Sequence, residues 1–225
     1  MKITARDVSL IKDLALSHVM SRDQILQLGY FGSITRLNTR LRGLMALGCI
    51  KRLETPFFSQ SLYAVDRKAN VLVGENIAPL LAHRADSPRF IQHALNVTNV
   101  RIHLKSKGLD AWRFEQQLWR TLPGRRGTEI RPDGMVLKGT QPMFIEIDLG
   151  TVAASKMRQK FAAYNLLALA HVHELYGSDS LRLLVVTTNE TRAANLRRLL
   201  PEKSAFPCLI QTFDQLGIPS VQSWS

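Results

Sequence analysis

Two short apolar runs, each carrying acids, are joined by Gly139-Thr140, and this arrangement constrains the chain more than any other feature. The runs are Arg131-Pro132-Asp133-Gly134 with Met135-Val136, and Phe144-Ile145-Glu146-Ile147-Asp148. A Gly-X pair between two strand-like runs favours a type II′ hairpin turn. With Lys138 and Gln141 closing that turn, Asp133 falls directly opposite Glu146, with Cβ atoms about 5 Å apart. Asp148 points the same way, because strands alternate with period two. Met143, Ile145, Ile147 and Leu149 occupy the other face and read as its core stripe. Three carboxylates on one face repel each other unless a cation or a basic side chain is present. Such a trio predicts Asp133, Glu146 and Asp148 as ligands of Mg²⁺ or Mn²⁺, the arrangement used for phosphodiester chemistry. The competing reading is a solvated polar face. Against it, the chain has only 18 Asp and Glu beside 30 Lys and Arg, so three clustered acids would be unusual.

The charge balance points to the partner. A formal net charge of +12 favours a polyanion, nucleic acid above all. Both parts are basic: residues 1–87 carry 12 Lys and Arg against 7 Asp and Glu, and residues 88–225 carry 18 against 11. Two basic globular parts imply two contact surfaces rather than one charged tail. Cys49 and Cys208 stand in no metal-ligand spacing and read as buried thiols of a reducing compartment. No apolar run approaches the ~20 residues of a membrane span. The expected location is the cytoplasm, with no membrane partner.

Residues 1–82 read as a DNA-binding module. Thr4 and Asp7 stand at capping spacing ahead of Val8, Ile11, Leu14 and Ala15. His18-Val19-Met20 interrupts that pattern, and Ser21 caps a second helix to about Leu28. Ser33 caps a third, with Ile34, Leu37, Leu41, Leu44, Met45 and Leu47 facing inward and Gly48 ending it. Strand-like runs follow at Cys49–Glu54 and Ser61–Val65. Three helices and a hairpin make a winged helix-turn-helix whose third helix enters the major groove. The outer face of that helix carries Thr35, Arg36, Asn38, Thr39, Arg40 and Arg42 and no carboxylate, which suits phosphates and base edges. Lys51 and Arg52 extend the basic surface. The same fold can also serve protein–protein contact.

Residues 88–225 read as a second, α/β domain: a mixed sheet flanked by helices. The pattern predicts a helix over Pro88–Lys107, a strand over Ala111–Trp119 and a basic loop over Pro123–Gly127. After the acidic hairpin it predicts a helix capped by Thr151 and running to about Leu175. The remaining elements are a strand over Leu181–Thr187, a helix over Glu190–Leu200 and a strand over Cys208–Phe213. Other chemistries lack support, because no HExxH, Cys pair, P-loop or GxSxG motif occurs. His93 reads as a core histidine or as one packing over the hairpin.

The order of elements, with Pro-Asp on one strand and Glu-x-Asp on the next, resembles the PD-(D/E)XK restriction-endonuclease-like superfamily. Joined to a winged helix, it is similar to the replication-relaxation family of plasmid-borne proteins, which includes mobilisation relaxases. Thr4–Arg52, His93–Val97, Arg131–Val136, Glu146–Thr151 and Lys160–Tyr164 carry the resemblance. It implies a metal-dependent nuclease in which Asp133 and Glu146 are metal ligands; in the catalytic, nicking reading of this chain Asp148 assists them. Asp148 departs from the pattern, since the superfamily has lysine there. Lys160, on the next helix four residues after Lys156 and four before Tyr164, is the candidate to replace that lysine. Both lysines also fit a solvated helix face. Glu115 is a candidate fourth acid.

Two functions therefore follow. One is a DNA-binding protein of plasmid replication or mobilisation with a metal-dependent nuclease-like domain. The other is a non-enzymatic winged-helix regulator whose nuclease-like domain is inactive and serves dimerisation or partner binding. The expected partners are DNA and either a homodimer or a DNA-processing assembly.

Overall fold

The computed structural model describes residues 2–72, 87–123 and 128–222. Most of the expected basic loop, Gly124 to Gly127, lies outside the described residues. Two compact units divide the chain: the first runs through Ile102 and is rejoined at Val221, and the second is His103–Ser220.

In the first unit, helix α1 (Ala5–Ser17) starts from a reciprocal capping box. The Thr4 side chain accepts from the Asp7 backbone N–H, and the Asp7 carboxylate accepts from the Thr4 N–H at 2.7 Å. His18 ends α1 with φ at 64°, the one described non-glycine residue in the left-handed region. That reversal releases Met20 and Ser21 as a short strand, β1, where the sequence signals only a break. Helix α2 (Arg22–Gln27) begins with a second capping box between Ser21 and Gln24. Helix α3 (Ile34–Ala46) is capped by Ser33, and Gly48 follows it with φ at 70°. Strands β2 (Ile50–Leu53) and β3 (Leu62–Val65) pair antiparallel, and β1 pairs with β3, giving the order β1-β3-β2.

Leu10, Ile11, Leu14, Ile25, Leu37, Leu41 and Leu44 form one core with Met20 and Ile50. Ile34, expected to face inward, is instead 42% exposed at the first position of α3. A short helix, α4 (Ala69–Leu72), ends this stretch. Helix α5 (Pro88–Ser106) contributes Ile91 and Leu95 to a smaller cluster with Val19 and Leu62. The division between the units falls inside α5 rather than before it. Buried polar groups tie its first part down. The Gln24 amide donates to the Leu95 carbonyl at 2.8 Å and to Asn99 at 2.7 Å, while Arg101 donates to Asp13 at 2.7 Å.

The second unit is built on a five-stranded sheet. Strand β4 (Arg113–Phe114) is only two residues long, because the chain turns into a helical turn, α6 (Glu115–Leu118), where a strand was expected to continue. Strands β5 (Arg120–Thr121) and β6 (Glu129–Ile130) then form a separate hairpin. The acidic hairpin is β7 (Gly134–Lys138) with β8 (Gln141–Asp148), and Lys138 pairs with Gln141 as the turn predicts. Gly139 has φ at 64° and Thr140 does not, the pattern of a type II′ turn. Gly134 is required by packing, since a Cβ there would lie 1.9 Å from the Trp112 ring.

Helix α7 (Ala154–Leu166) starts at Ala153 without a side-chain cap, so the expected Thr151 cap is not used. It passes through a π-helical turn, Leu167–His171, into α8 (Val172–Tyr176). Strand β9 (Arg182–Thr187), helix α9 (Glu190–Arg197), strand β10 (Cys208–Thr212) and helix α10 (Phe213–Leu216) complete the unit. The sheet order is β10-β9-β8-β7-β4, with β8, β9 and β10 parallel and the rest antiparallel. This is an α/β fold with a mixed sheet.

Expectation and structure differ on the faces of β8. Phe144, on the acidic face, packs with Met157, Phe161 and Tyr164 of α7 and with Leu196 of α9. Ile145 and Ile147 on the other face are buried as well. Strand β8 is central, paired antiparallel with β7 and parallel with β9, and is buried on both faces, so Glu146 and Asp148 lie under helices rather than in water.

One ion pair ties α1 to α3. Arg40 Nε donates to Asp7 at 2.7 Å, its second nitrogen also reaches that carboxylate, and the same nitrogen donates to the Lys2 carbonyl at 2.8 Å. Burial alone would raise the Asp7 pKa, but the bonds from Arg40 and Thr4 outweigh it and hold the carboxyl below its usual range. A depressed carboxyl stabilises the fold above its unfolded value of about 3.9, and this contribution is lost as pH falls through the folded value. Arg40→Ala should therefore cost on the order of 3 kcal/mol in urea unfolding at pH 7. The stability difference between wild type and Asp7→Asn should shrink below about pH 4.

Candidate functional site

The acids at the ends of β7 and β8 sit where the hairpin register puts them, but they do not form one cluster. Asp133 lies one residue before β7. Its backbone N–H donates to the Ile145 carbonyl at 3.0 Å, and its Oδ2 accepts from the Ile147 N–H at 2.7 Å. Its side chain thus continues the ladder where the backbone pairing stops. Glu146 is 3% exposed and is held from α7: Lys160 Nζ bonds one carboxylate oxygen, and the Tyr164 hydroxyl donates to the other at 2.8 Å. The i, i+4 spacing of Lys160 and Tyr164 places both on the helix face that meets β8. Lys156, one turn earlier, is exposed, so the solvated reading fits it and not Lys160.

Asp148 belongs to a different contact. Arg192 of α9 grips it with two bonds, Nε to Oδ2 at 2.6 Å and a terminal nitrogen to Oδ1 at 3.0 Å. The Thr187 hydroxyl adds a third at 3.1 Å. Arg192 was not foreseen, because its approach depends on the parallel pairing of β8 with β9, which places Asp148 beside Thr187. Only the Asn189 cap three residues before Arg192 marks the start of α9 in the sequence. Glu115, the expected fourth acid, is paired with Arg131.

The electrostatics follow from this pairing. Burial raises the Glu146 pKa, Lys160 opposes that rise, and the neighbouring Asp133 adds to it. Burial disfavours the Lys160 ammonium, but Glu146 and then Asp133 more than compensate, so Lys160 stays protonated above its ordinary range. Burial, then Glu146, lifts the Tyr164 hydroxyl well above its usual value, keeping it a donor. Among the described residues, no three His, Cys, Asp or Glu side chains are grouped to hold one metal ion. The three-ligand set is therefore corrected: Asp148 is withdrawn by Arg192. Asp133 and Glu146 stay opposite each other in the hairpin register and are the two carboxylates that could hold Mg²⁺, an ion that takes one or two carboxylates and completes its shell with water and phosphate.

On the first unit, Thr35, Arg36, Thr39 and Arg42 of α3 are exposed and Asn38 is half-buried. Lys51 and Arg52 on β2 are exposed too. Arg40 differs from its neighbours, since its guanidinium is committed to Asp7. Cys49 is buried and Cys208 half-buried, and burial pushes the Cys208 thiol up to about 12. No described helix is long and apolar enough to cross a membrane.

A family model described as replication-relaxation matches residues 11–178, from α1 to just past α8. The chain belongs to the replication-relaxation family. Membership connects it with plasmid replication and mobilisation. No curated protein matches it. Among solved structures it is similar to protein VC1899 from Vibrio cholerae, at 12% identity and a TM-score of 0.34. That likeness covers 96% of this chain and 55% of the other, so this chain spans about half the length of its match.

In this replication-relaxation protein, the Asp148–Arg192 contact should behave as structure. Asp148 has a side chain 2% exposed, so Arg192→Ala would leave a buried carboxylate held by Thr187 alone. The expected loss is about 3 kcal/mol in denaturant unfolding. Adding Asp148→Asn to that variant should recover part of it, because the stranded charge is removed.

Proposed function

We propose that this family member is a DNA-binding protein of plasmid replication or mobilisation that cuts one strand of its DNA. In this reading the first unit is a winged helix that docks on duplex DNA through α3. The second is a PD-(D/E)XK-like domain whose site is Asp133, Glu146 and Lys160. The observation that carries it is the Lys160 ammonium on Glu146. The lysine missing from the strand, where Asp148 stands, has a spatial substitute on α7. Asp133 and Glu146 are the residues that would hold Mg²⁺ or Mn²⁺. When bound, such an ion supplies a Lewis acid for the phosphate oxygens. Lys160 keeps its proton and presents a positive charge to the phosphate, and Tyr164 fixes the rotamer of Glu146. Thr35, Arg36, Asn38, Thr39 and Arg42, with Lys51 and Arg52, face the duplex.

A specific observation favours a second reading. Each buried acid already has a cation, Lys160 for Glu146 and Arg192 for Asp148, so the site is balanced without metal. That suits a non-enzymatic regulator with the same DNA surface.

Duplex binding measured by anisotropy should weaken about tenfold or more for Arg36→Ala with Arg42→Ala, each base contact being worth ~1–3 kcal/mol. With roughly six phosphate contacts, affinity should fall on the order of a thousandfold between 50 and 200 mM salt. A flat titration would remove nucleic acid as the partner. Supercoiled plasmid with Mn²⁺ should give the nicked form, and the Asp133→Ala, Glu146→Ala double variant should not. Intact plasmid from a wild type that still binds duplex establishes the regulator instead.

A further inference from the structure

Trp119 is the exposed aromatic side chain of the second unit among the described residues, at 46%, whereas Phe114, Phe144, Phe161, Tyr164, Phe206 and Phe213 are buried. Its surroundings are polar and charged. The Arg131 guanidinium lies over the indole, 5.0 Å from its ring. The indole Nε1 donates to Glu129 at 3.2 Å, which fixes the ring's edge. The ring is thus held at one position with much of its surface in water. Neither contact requires an aromatic of this size to be left exposed.

Glu129 joins this ring to the nuclease-like site. It lines a cleft of about 580 Å³ whose other walls include Thr128, Lys156, Gln159 and Lys160. Arg131, stacked on Trp119, pairs with Glu115, and Glu115 in turn acts electrostatically on Lys160. The anchored indole is therefore joined through Glu129 to a cleft whose walls include two lysines. A paired base cannot offer its ring face to a side chain, whereas an unpaired base can stack on indole while its phosphates follow a basic groove.

We propose that the second unit engages an unpaired DNA strand, one base stacking on Trp119 and the adjoining phosphates running along the cleft past Lys156 to Lys160. This rests on nucleic acid being the partner, and it assigns the two DNA contacts separately: duplex to α3, unpaired strand to the second unit. Within it, Trp119 is a binding residue and Lys156 a phosphate contact, neither required for the fold.

The test is anisotropy of a labelled oligo-dT probe and of a duplex probe against the full chain. Trp119→Ala should weaken oligo-dT on the order of tenfold, Trp119→Phe should restore most of it, and duplex affinity should not change. Lys156→Ala should flatten the salt dependence of oligo-dT binding by roughly 0.7 in log–log slope. Of the three tryptophans, Trp112, Trp119 and Trp224, only Trp119 should report: oligo-dT should quench wild-type emission, and Trp119→Phe should abolish that quench. Oligo-dT affinity that is indifferent to Trp119→Ala, in a chain whose duplex binding responds to Arg36→Ala, overturns this inference and leaves the proposed function standing. Equal loss on both probes overturns it as well. A wild type that binds neither probe removes both. Tighter binding of oligo-rU than oligo-dT overturns the assignment to DNA.

Discussion

A slip of one residue in the pairing of β7 with β8 would move Glu146 and Asp148 to the opposite face of the sheet and set Asp133 beside an isoleucine. The Gly139-Thr140 turn prevents that slip. Its left-handed glycine makes Lys138 face Gln141, and every later contact inherits this choice. Lys160 and Tyr164 meet Glu146 only because Glu146 and Phe144 share the face under α7. Asp133 can cap the ladder at Ile147 only because it follows Ile145 in the register. The turn lies at one end of the hairpin and the acids at the other, so a two-residue loop controls the chemistry of a site several residues away.

Burial sets the character of that site. A carboxylate placed under helices must find a cation or stay protonated, since desolvation disfavours its charge. Glu146 and Asp148 solve this with different helices. The grips differ as well: a lysine is a mobile point charge that a metal or phosphate can displace, whereas a two-point guanidinium contact is directional and hard to exchange. Glu146 therefore keeps an exchangeable partner, and Asp148 is locked. The same contrast separates Arg40, spent on Asp7, from Arg36 and Arg42, which remain in water on α3.

What was legible in the sequence was local. The capping residues Thr4, Ser21 and Ser33, the hairpin register and the i, i+4 relation of Lys160 to Tyr164 depend on neighbours within a few positions. Arg192 on Asp148 and Arg40 on Asp7 depend on which elements come together in space, and no spacing rule reaches across 44 or 33 positions. The stretch after Ala111 misled for a related reason. Trp112, Phe114, Gln116 and Leu118 alternate as a strand does, but Gln117 caps the Phe114 N–H at 2.9 Å and turns the chain helical. The burial of β8 on both faces was likewise invisible, because its isoleucines already filled one apolar stripe.

The π-helical turn at Leu167–His171 has a geometric consequence for the aromatic core. Tyr164 and Tyr176 both meet Phe144, with ring centres at 5.6 and 5.1 Å. On an unbroken α-helix, positions twelve apart would point about 120° away from each other, and positions eleven apart only about 20°. A wide turn takes up one surplus residue, bringing the two tyrosines back into phase on a single phenylalanine. Upstream of it the helix serves Glu146; downstream, it closes over the ring beside it. The surplus residue is a spacer between two timings of the same helix, so chain length in this segment is set by angle rather than by reach.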